Sequence, residues 1–278
     1  MSCAPTCKLN DGRLIPQLGL GVWQMADDEA GPLVAQAIAA CYRLIDTAAI
    51  YGNERGVGEG IRRAEAQMVG REEVFLTSKV WNDRQGYDNA LSAFERSLGR
   101  LKQDYVDLYL IHWPAPARGL YVETWKALIR LKEEGRARSI GVSNFMPEHL
   151  ERIIGETGVA PAVNQIELHP RLQQRTLRDV HKRHGIQTEA WSPLGQGQLL
   201  TDPLIGKIAA KVGHTPAQVI LRWHMQNSVV AIPKSASPER MAQNIDVFGF
   251  ELSDDDMSII AGLDSAMGRI GFDPLTFS

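Results

Sequence analysis

A chain of 278 residues with a net charge of −3 can bury a large core, and it shows neither a basic block nor a long acidic tail, so nothing in it is built for nucleic acid or an anionic membrane. No apolar run approaches the roughly 18 residues of a membrane span, and the N-terminal MSCAPTCKLNDG lacks the apolar stretch of an export signal. Three cysteines (Cys3, Cys7 and Cys41) are too few and too poorly spaced for a zinc site or a complete disulfide framework, so idle thiols, a reducing cytoplasmic setting and no metal are expected.

In chain order, CKLNDGRLIPQ sets Asp11-Gly12 between two short extended pieces and predicts a small hairpin. Eight short runs then read as strands, at 18–22, 43–46, 74–79, 106–112, 139–143, 162–166, 186–191 and 229–233. Most are continuously apolar in the middle, as parallel strands covered on both faces should be. Helical patterns separate them: Leu33, Val34, Ala37, Ile38 and Cys41 share one face, as do Leu91, Phe94, Leu98 and Leu101. Thr215-Pro216 with Gln218, and Ser237-Pro238, read as capped helix starts. A further helix near 253–264, capped by Ser253 with three aspartates in its first turn, should pack outside.

No linker divides the chain, so one domain over residues 1–278 is expected. Strands alternating with helices eight times predict an α/β fold of the (β/α)8 (TIM) barrel type, with an N-terminal β-hairpin and an extra C-terminal helix. A doubly wound nucleotide-binding domain should carry GxGxxG after its first strand, and neither GLGVWQ nor GVGEGI fits. His181 and His184 lie in a segment rich in Lys and Arg and read as part of a solvated face.

In such barrels catalytic groups sit at the C-terminal ends of the strands. Here those ends, or the residues next to them, are Trp23, Asp46, Lys79, His112, Asn144, Gln165, Trp191 and Lys234, far more polar and aromatic than the strand interiors. Each has a bland reading: Asp46 could cap a loop, Lys79 could be a surface lysine, His112 a satisfied core histidine, and Tyr51 alone says little. Jointly they describe an acid. Free tyrosine has a pKa of about 10, and a neighbouring ammonium held by a carboxylate stabilises its phenolate, so Asp46, Tyr51, Lys79 and a neutral His112 can protonate a carbonyl oxygen. Buried charges at strand ends cost several kcal/mol unless paired, so Asp46 and Lys79 should meet.

The strings NDGRLIPQLGLGVW, DTAAIYGNE, KVWNDR, GVSNF, PAVNQIELHP, SPLGQG, TPAQVILRWH and QNIDVFGF, spread nearly end to end, resemble the aldo-keto reductases, and most of all the bacterial 2,5-diketo-D-gluconate reductases. GVSN and NQIELHP are highly specific to that superfamily. The resemblance implies Tyr51 as general acid, Lys79 and Asp46 as the pair that lowers its pKa, His112 as the group that orients the carbonyl, and NADPH as the hydride donor. It implies that Ser143, Asn144 and Gln165 hold the nicotinamide carboxamide, that the ring stacks on Trp191, and that Ser192, Leu194 and Gly195 follow the pyrophosphate. Lys234, Ser235, Arg240 and Asn244 match the adenosine end, where a 2′-phosphate is gripped. Some relatives carry another arginine where this chain has Ser237, so a less extreme preference for NADPH is expected.

By the same match the substrate mouth takes in Trp23, Ala48, Ile50, Trp81, His112, Trp113 and Gln196. The segment after His112 and the tail after residue 264 are short, so an open site without long specificity loops is expected. The implied substrate is a small carbonyl compound, 2,5-diketo-D-gluconate or a related α-dicarbonyl, or otherwise a broad range of α-diketones, methylglyoxal and aldehydes, handled by a monomer. Two other classes compete: a Schiff-base lyase using Lys79, and a nucleotide-sensing barrel that does not turn over.

Overall fold

The computed structural model describes residues 3–278. Strands β1 (Thr6–Lys8) and β2 (Leu14–Pro16) pair antiparallel around a turn in which Gly12 takes a left-handed φ of +88°. Eight parallel strands follow: β3 (Leu20–Gly21), β4 (Leu44–Asp46), β5 (Phe75–Val80), β6 (Val106–Ile111), β7 (Ala137–Ser143), β8 (Val163–Glu167), β9 (Gln187–Trp191) and β10 (Val230–Ala231). They hydrogen-bond in chain order from β3 to β10. Parallel bridges Leu18↔Ala231 and Gly21↔Lys234 join the first strand to the last, which closes the sheet into the expected (β/α)8 barrel.

The helices form the outer ring. They are α1 (Asp27–Ala39), α2 (Glu54–Glu65), α3 (Tyr87–Leu101), α4 (Tyr121–Glu133), α5 (Pro147–Thr157), α6 (Arg175–His184), α7 (Pro203–Val212), α8 (Pro216–Gln226), α9 (Pro238–Ile245) and α10 (Asp254–Ala261). The caps legible in the sequence are formed: Thr215 Oγ1 accepts from the Gln218 N–H, Ser237 Oγ from Arg240, and Ser253 Oγ from Asp256. Helices α1 and α2 approach closely at Gly56, where a Cβ would fall 2.0 Å from the Asp27 carbonyl oxygen.

Two apolar bodies stabilise the barrel. One fills the space between strands and helices. The other lies inside, where Leu9 and Ile15 of the hairpin segment meet Leu44, Phe75, Leu108 and Val163, so the hairpin plugs the N-terminal end. The opposite end, where the strands finish, is left for chemistry.

Two expectations are corrected. Cys3 and Cys41 are not idle: they are disulfide-bonded with Cα atoms 4.9 Å apart, and Cys7 is the free thiol. Cys41 adopts φ +75° just beyond α1 instead of continuing its face. His181 is not on a solvated face: it is buried, with Nδ1 paired to Thr188 Oγ1 at 2.8 Å and Nε2 to Asn164 at 2.9 Å. Burial and the nearby Arg178 push it down to about 3, so it is a neutral core histidine. His184 instead meets Glu151 at 3.1 Å at the surface.

Candidate active site

Segment DTAAIYGNE is built to present one phenol. Asp46 ends β4, and a single 3-10 turn over Ala49–Tyr51 follows, closed by Gly52 at φ +70°. Asn53 is fully buried, accepts from Thr47 Oγ1 at 2.8 Å and donates to the carbonyls of Val22 and Met25, which ties this turn to the loop after β3. Glu54, also buried, accepts from Ser78 Oγ at 2.6 Å and from Arg100, anchoring the start of α2 against β5. Tyr51 is thereby fixed over the barrel mouth.

Lys79 points inward from β5 with no exposure. Its Nζ donates to Asp46 Oδ1 at 2.6 Å and the Thr47 carbonyl at 3.1 Å, and reaches Tyr51 Oη at 3.5 Å. His112, one residue past β6, stands edge-on to Tyr51 with ring centroids 5.6 Å apart, and to Trp81 at 5.0 Å. All four residues of the expected tetrad are brought together.

Electrostatics refine the expectation. Burial lowers the Lys79 ammonium, but the Asp46 carboxylate and the Tyr51 phenol more than reverse this, so Lys79 stays charged. Burial also holds Asp46 up against the pull of Lys79 and Gln165. Burial raises the Tyr51 phenol; Lys79 pulls it down as expected, but does not overcome desolvation, to which Asp46 and Glu189 add. The expected net lowering of Tyr51 is therefore corrected: the phenol holds its proton at neutral pH, the form in which it can donate. Burial, then Lys79, hold His112 well below the usual histidine value, so its imidazole is neutral as expected.

Ser143 closes β7, and its Oγ donates to the Gln165 carbonyl at 2.8 Å. Asn144 takes φ +61°, a left-handed conformation that Asn tolerates. Its Nδ2 donates to the His112 carbonyl at 3.0 Å, and its Oδ1 accepts from Trp191 Nε1 at 2.8 Å. Gln165 Nε2 donates to Asp46 Oδ2 at 2.8 Å and to Glu189 Oε2 at 2.9 Å. These residues, with Ser192 and Lys234, line the same cleft of about 700 Å³ as Asp46, Tyr51 and His112. That volume suits a small-molecule site.

Leu194, Gly195, Ser235, Arg240 and Asn244 lie outside the cleft lining. Gly195 takes φ +58° in the loop after β9, Ser235 and Asn244 are buried, and Arg240 is exposed in the first turn of α9. Of the expected mouth residues, Trp23, Ile50, Trp81, His112, Trp113 and Gln196 line the cleft. Ala48 does not: it is fully buried beneath the turn.

The tail departs from the expectation of an open site. Ile270, Gly271, Phe272 and Phe277 also line the cleft, so the site is walled and not simply open. Phe277 lies 4.7 Å from Trp113 and stacks on Phe272 at 4.5 Å between ring centroids. Glu167 holds this segment, accepting from the N–H of Ile270 at 2.6 Å and of Gly271 at 2.9 Å. A sequence signal existed: two phenylalanines close together in GFDPLTFS, beyond the last helix.

A profile described as the aldo/keto reductase family matches residues 17–265. The chain is 56% identical over 275 residues to an aldo-keto reductase of Mycolicibacterium smegmatis, covering 99% of this chain and 98% of that one. It is 50% identical to the methylglyoxal reductase DkgA of Yersinia pestis, covering 100% and 99% of the two chains. Among solved structures, a Gox0644 mutant in complex with NADPH superposes with a TM-score of 0.95 at 53% identity, covering 99% of each chain. Convergence of Asp46, Tyr51, Lys79 and His112 at the mouth of a closed barrel agrees with these matches, and the chain belongs to the aldo/keto reductase family of NADP-dependent oxidoreductases.

Proposed function

We propose that the protein reduces small activated carbonyls, α-dicarbonyls above all, with NADPH, and that Tyr51 is the proton donor. The observation that carries this reading is the buried Lys79–Asp46 pair set against the Tyr51 hydroxyl at the edge of an aromatic cleft.

The residues present fit the cofactor. Both N–H groups of the Gln165 amide are used by the carboxyl groups of Asp46 and Glu189, and no donor is bonded to its Oε1 among the described residues, which leaves an acceptor for a carboxamide N–H. Trp191, its ring fixed by Asn144, offers a flat face in the cleft. Ser143, Asn144 and Gln165 would hold the carboxamide, Trp191 the ring, and Ser192, Leu194 and Gly195 the pyrophosphate. Lys234, Ser235, Arg240 and Asn244 would hold the adenosine end, where the exposed Lys234 and Arg240 can meet a phosphate.

When bound, the reduced nicotinamide supplies a hydride to the carbonyl carbon. Negative charge that develops on the carbonyl oxygen is met by the Tyr51 hydroxyl, which gives up its proton. The Lys79 ammonium, its own charge balanced by Asp46, stabilises the phenolate left behind. His112 is neutral and lines the cleft beside Tyr51, where it orients the oxygen by a hydrogen bond. Lys79 is completely buried with every N–H directed at an oxygen, so it presents no free amine for a Schiff base.

Among dicarbonyl compounds, the sequence strings support 2,5-diketo-D-gluconate, reduced to 2-keto-L-gulonate. The cleft wall favours compact members such as methylglyoxal and α-diketones: Trp23, Trp81, Trp113, Phe272 and Phe277 supply it, and Lys234, assigned to the cofactor phosphate, is the one Lys or Arg among the described lining residues. The methylglyoxal reductase relatives support the same class. Initial rates of NADPH oxidation with methylglyoxal, diketones, 2,5-diketo-D-gluconate and simple aldehydes test the proposal. Turnover of dicarbonyls is expected; NADPH binding without turnover of any of them would leave a sensor.

A further inference from the structure

One buried acid beneath the tetrad has no role so far. Glu189 sits in β9 opposite Gln165 and is fully buried. Its Oε2 accepts from Gln165 Nε2 at 2.9 Å, the same nitrogen that donates to Asp46 Oδ2 at 2.8 Å, and its Oε1 has no partner among the described residues. One amide thus bridges two carboxyl groups. The nearest cation cannot serve both, because the three N–H donors of Lys79 are directed at Asp46, the Thr47 carbonyl and Tyr51. A buried carboxylate with one hydrogen bond and no counter-ion is costly, and the inexpensive alternative is to keep a proton.

We propose that Glu189 is a positioning residue that stays protonated while Asp46 is ionised, and that its ionisation in alkali holds the phenolic proton on Tyr51. This rests on the assignment of Tyr51 as the acid. The groups that face Glu189 are Asp46 on β4, Lys79 on β5, Tyr51 on the turn after β4 and the neutral Gln165 amide on β8; β10 contributes apolar Val230 at the paired position. Burial, then the Asp46 charge, push Glu189 up to about 8. Once ionised, its charge raises Tyr51 further.

The sign follows. Reduction needs the phenol, whereas oxidation of the alcohol needs the phenolate. Glu189→Gln keeps the volume and an oxygen for Gln165 but cannot acquire charge, so Tyr51 loses its proton at lower pH. The alkaline fall of kcat for reduction should move down by about one pH unit, the size of shift that protein surroundings commonly impose. At a fixed alkaline pH, reduction falls while alcohol oxidation rises. A merely structural defect would lower both, and profiles that superimpose on wild type would overturn the proposal.

A second measurement needs neither a variant nor turnover. Infrared difference spectra of the wild-type protein between mildly acidic and alkaline pH should show one buried protonated carboxyl at neutral pH, lost as pH rises through about 8. Absence of that band at neutral pH would sink the inference even if the reductase assignment stands. Failure of Tyr51→Phe to abolish reduction would instead remove the assignment on which it rests.

Discussion

The Lys79 ammonium lies 2.6 Å from Asp46 Oδ1 with both side chains closed to solvent. A buried pair of this kind is weak as a source of stability, and breaking one side of it typically costs about 3–5 kcal/mol by stranding the other charge. Its value here is positional: it brings a charge to within 3.5 Å of the Tyr51 hydroxyl.

Lys79→Met should therefore cripple turnover and also lower the melting temperature, because Asp46 is left buried without its cation. Asp46→Asn in the same background should recover much of the stability but not the activity. Calorimetry and kcat on the single and double variants check the two effects separately.

Tyr51→Phe removes only the proton donor. Reduction should fall by about 10²–10⁴-fold, the usual contribution of a general acid, while NADPH binding measured by fluorescence titration stays near wild type. Most of the activity surviving would pass the acid role to His112 or to water.

The site was legible because strand ends differ in chemistry from strand interiors: Asp46, Lys79 and His112 each close an apolar run, so counting strands placed them on one rim. The missed features lack that contrast. Glu189 lies inside QTEAW, where a lone acid reads as an outward-facing residue, yet it points into the barrel. His181 sits in RTLRDVHKRH, so polar that the narrow buried stripe of Leu177, Val180 and His181 is masked. The Cys3–Cys41 bond joins the N-terminal segment to the turn after α1, a proximity set by tertiary packing and not by spacing. The tail has no periodicity to read, since its residues are held by Glu167 from across the rim.

Besides Glu189, two groups set the pH dependence of reduction. His112 is held well below its usual value, so the imidazole stays neutral through mildly acidic pH. Tyr51 is raised above its usual value, so its proton persists into alkali. Reduction should be flat across neutrality and fall only above about pH 10, the ordinary tyrosine value. Stopped-flow rates of the chemical step across pH check this, and a fall centred near neutrality would contradict it.

For the cofactor, Lys234 and Arg240 are exposed near the start of α9 and free to meet a 2′-phosphate. Arg240→Ala should weaken NADPH on the order of tenfold, the worth of one charge-assisted hydrogen bond, and leave NADH almost unchanged. Equal losses for both would make Arg240 structural. Ser237→Arg, adding a cation where this chain has none, should widen the gap between the two cofactors.

The tail supplies the last prediction. Glu167 catches two consecutive backbone N–H groups with its two oxygens, and His169 Nε2 stands 3.1 Å from one of them. Burial would raise this carboxyl, but His169 and the two N–H groups outweigh it and hold Glu167 below the usual range, so it is ionised at neutral pH. Glu167→Gln keeps the volume but has one acceptor oxygen, so one of the two tail contacts must go, at a cost of about 1.5–3 kcal/mol for a bond to a charged group. Phe272 and Phe277 are then less firmly held against Trp113, while the tetrad is untouched. KM for a compact diketone should rise with kcat nearly unchanged, and bulkier aromatic aldehydes should gain relative to it. Deletion of residues 270–278 should reproduce the same split more strongly. If either variant lowered kcat and left KM alone, the tail would be acting on the chemical step and not on how the substrate is enclosed.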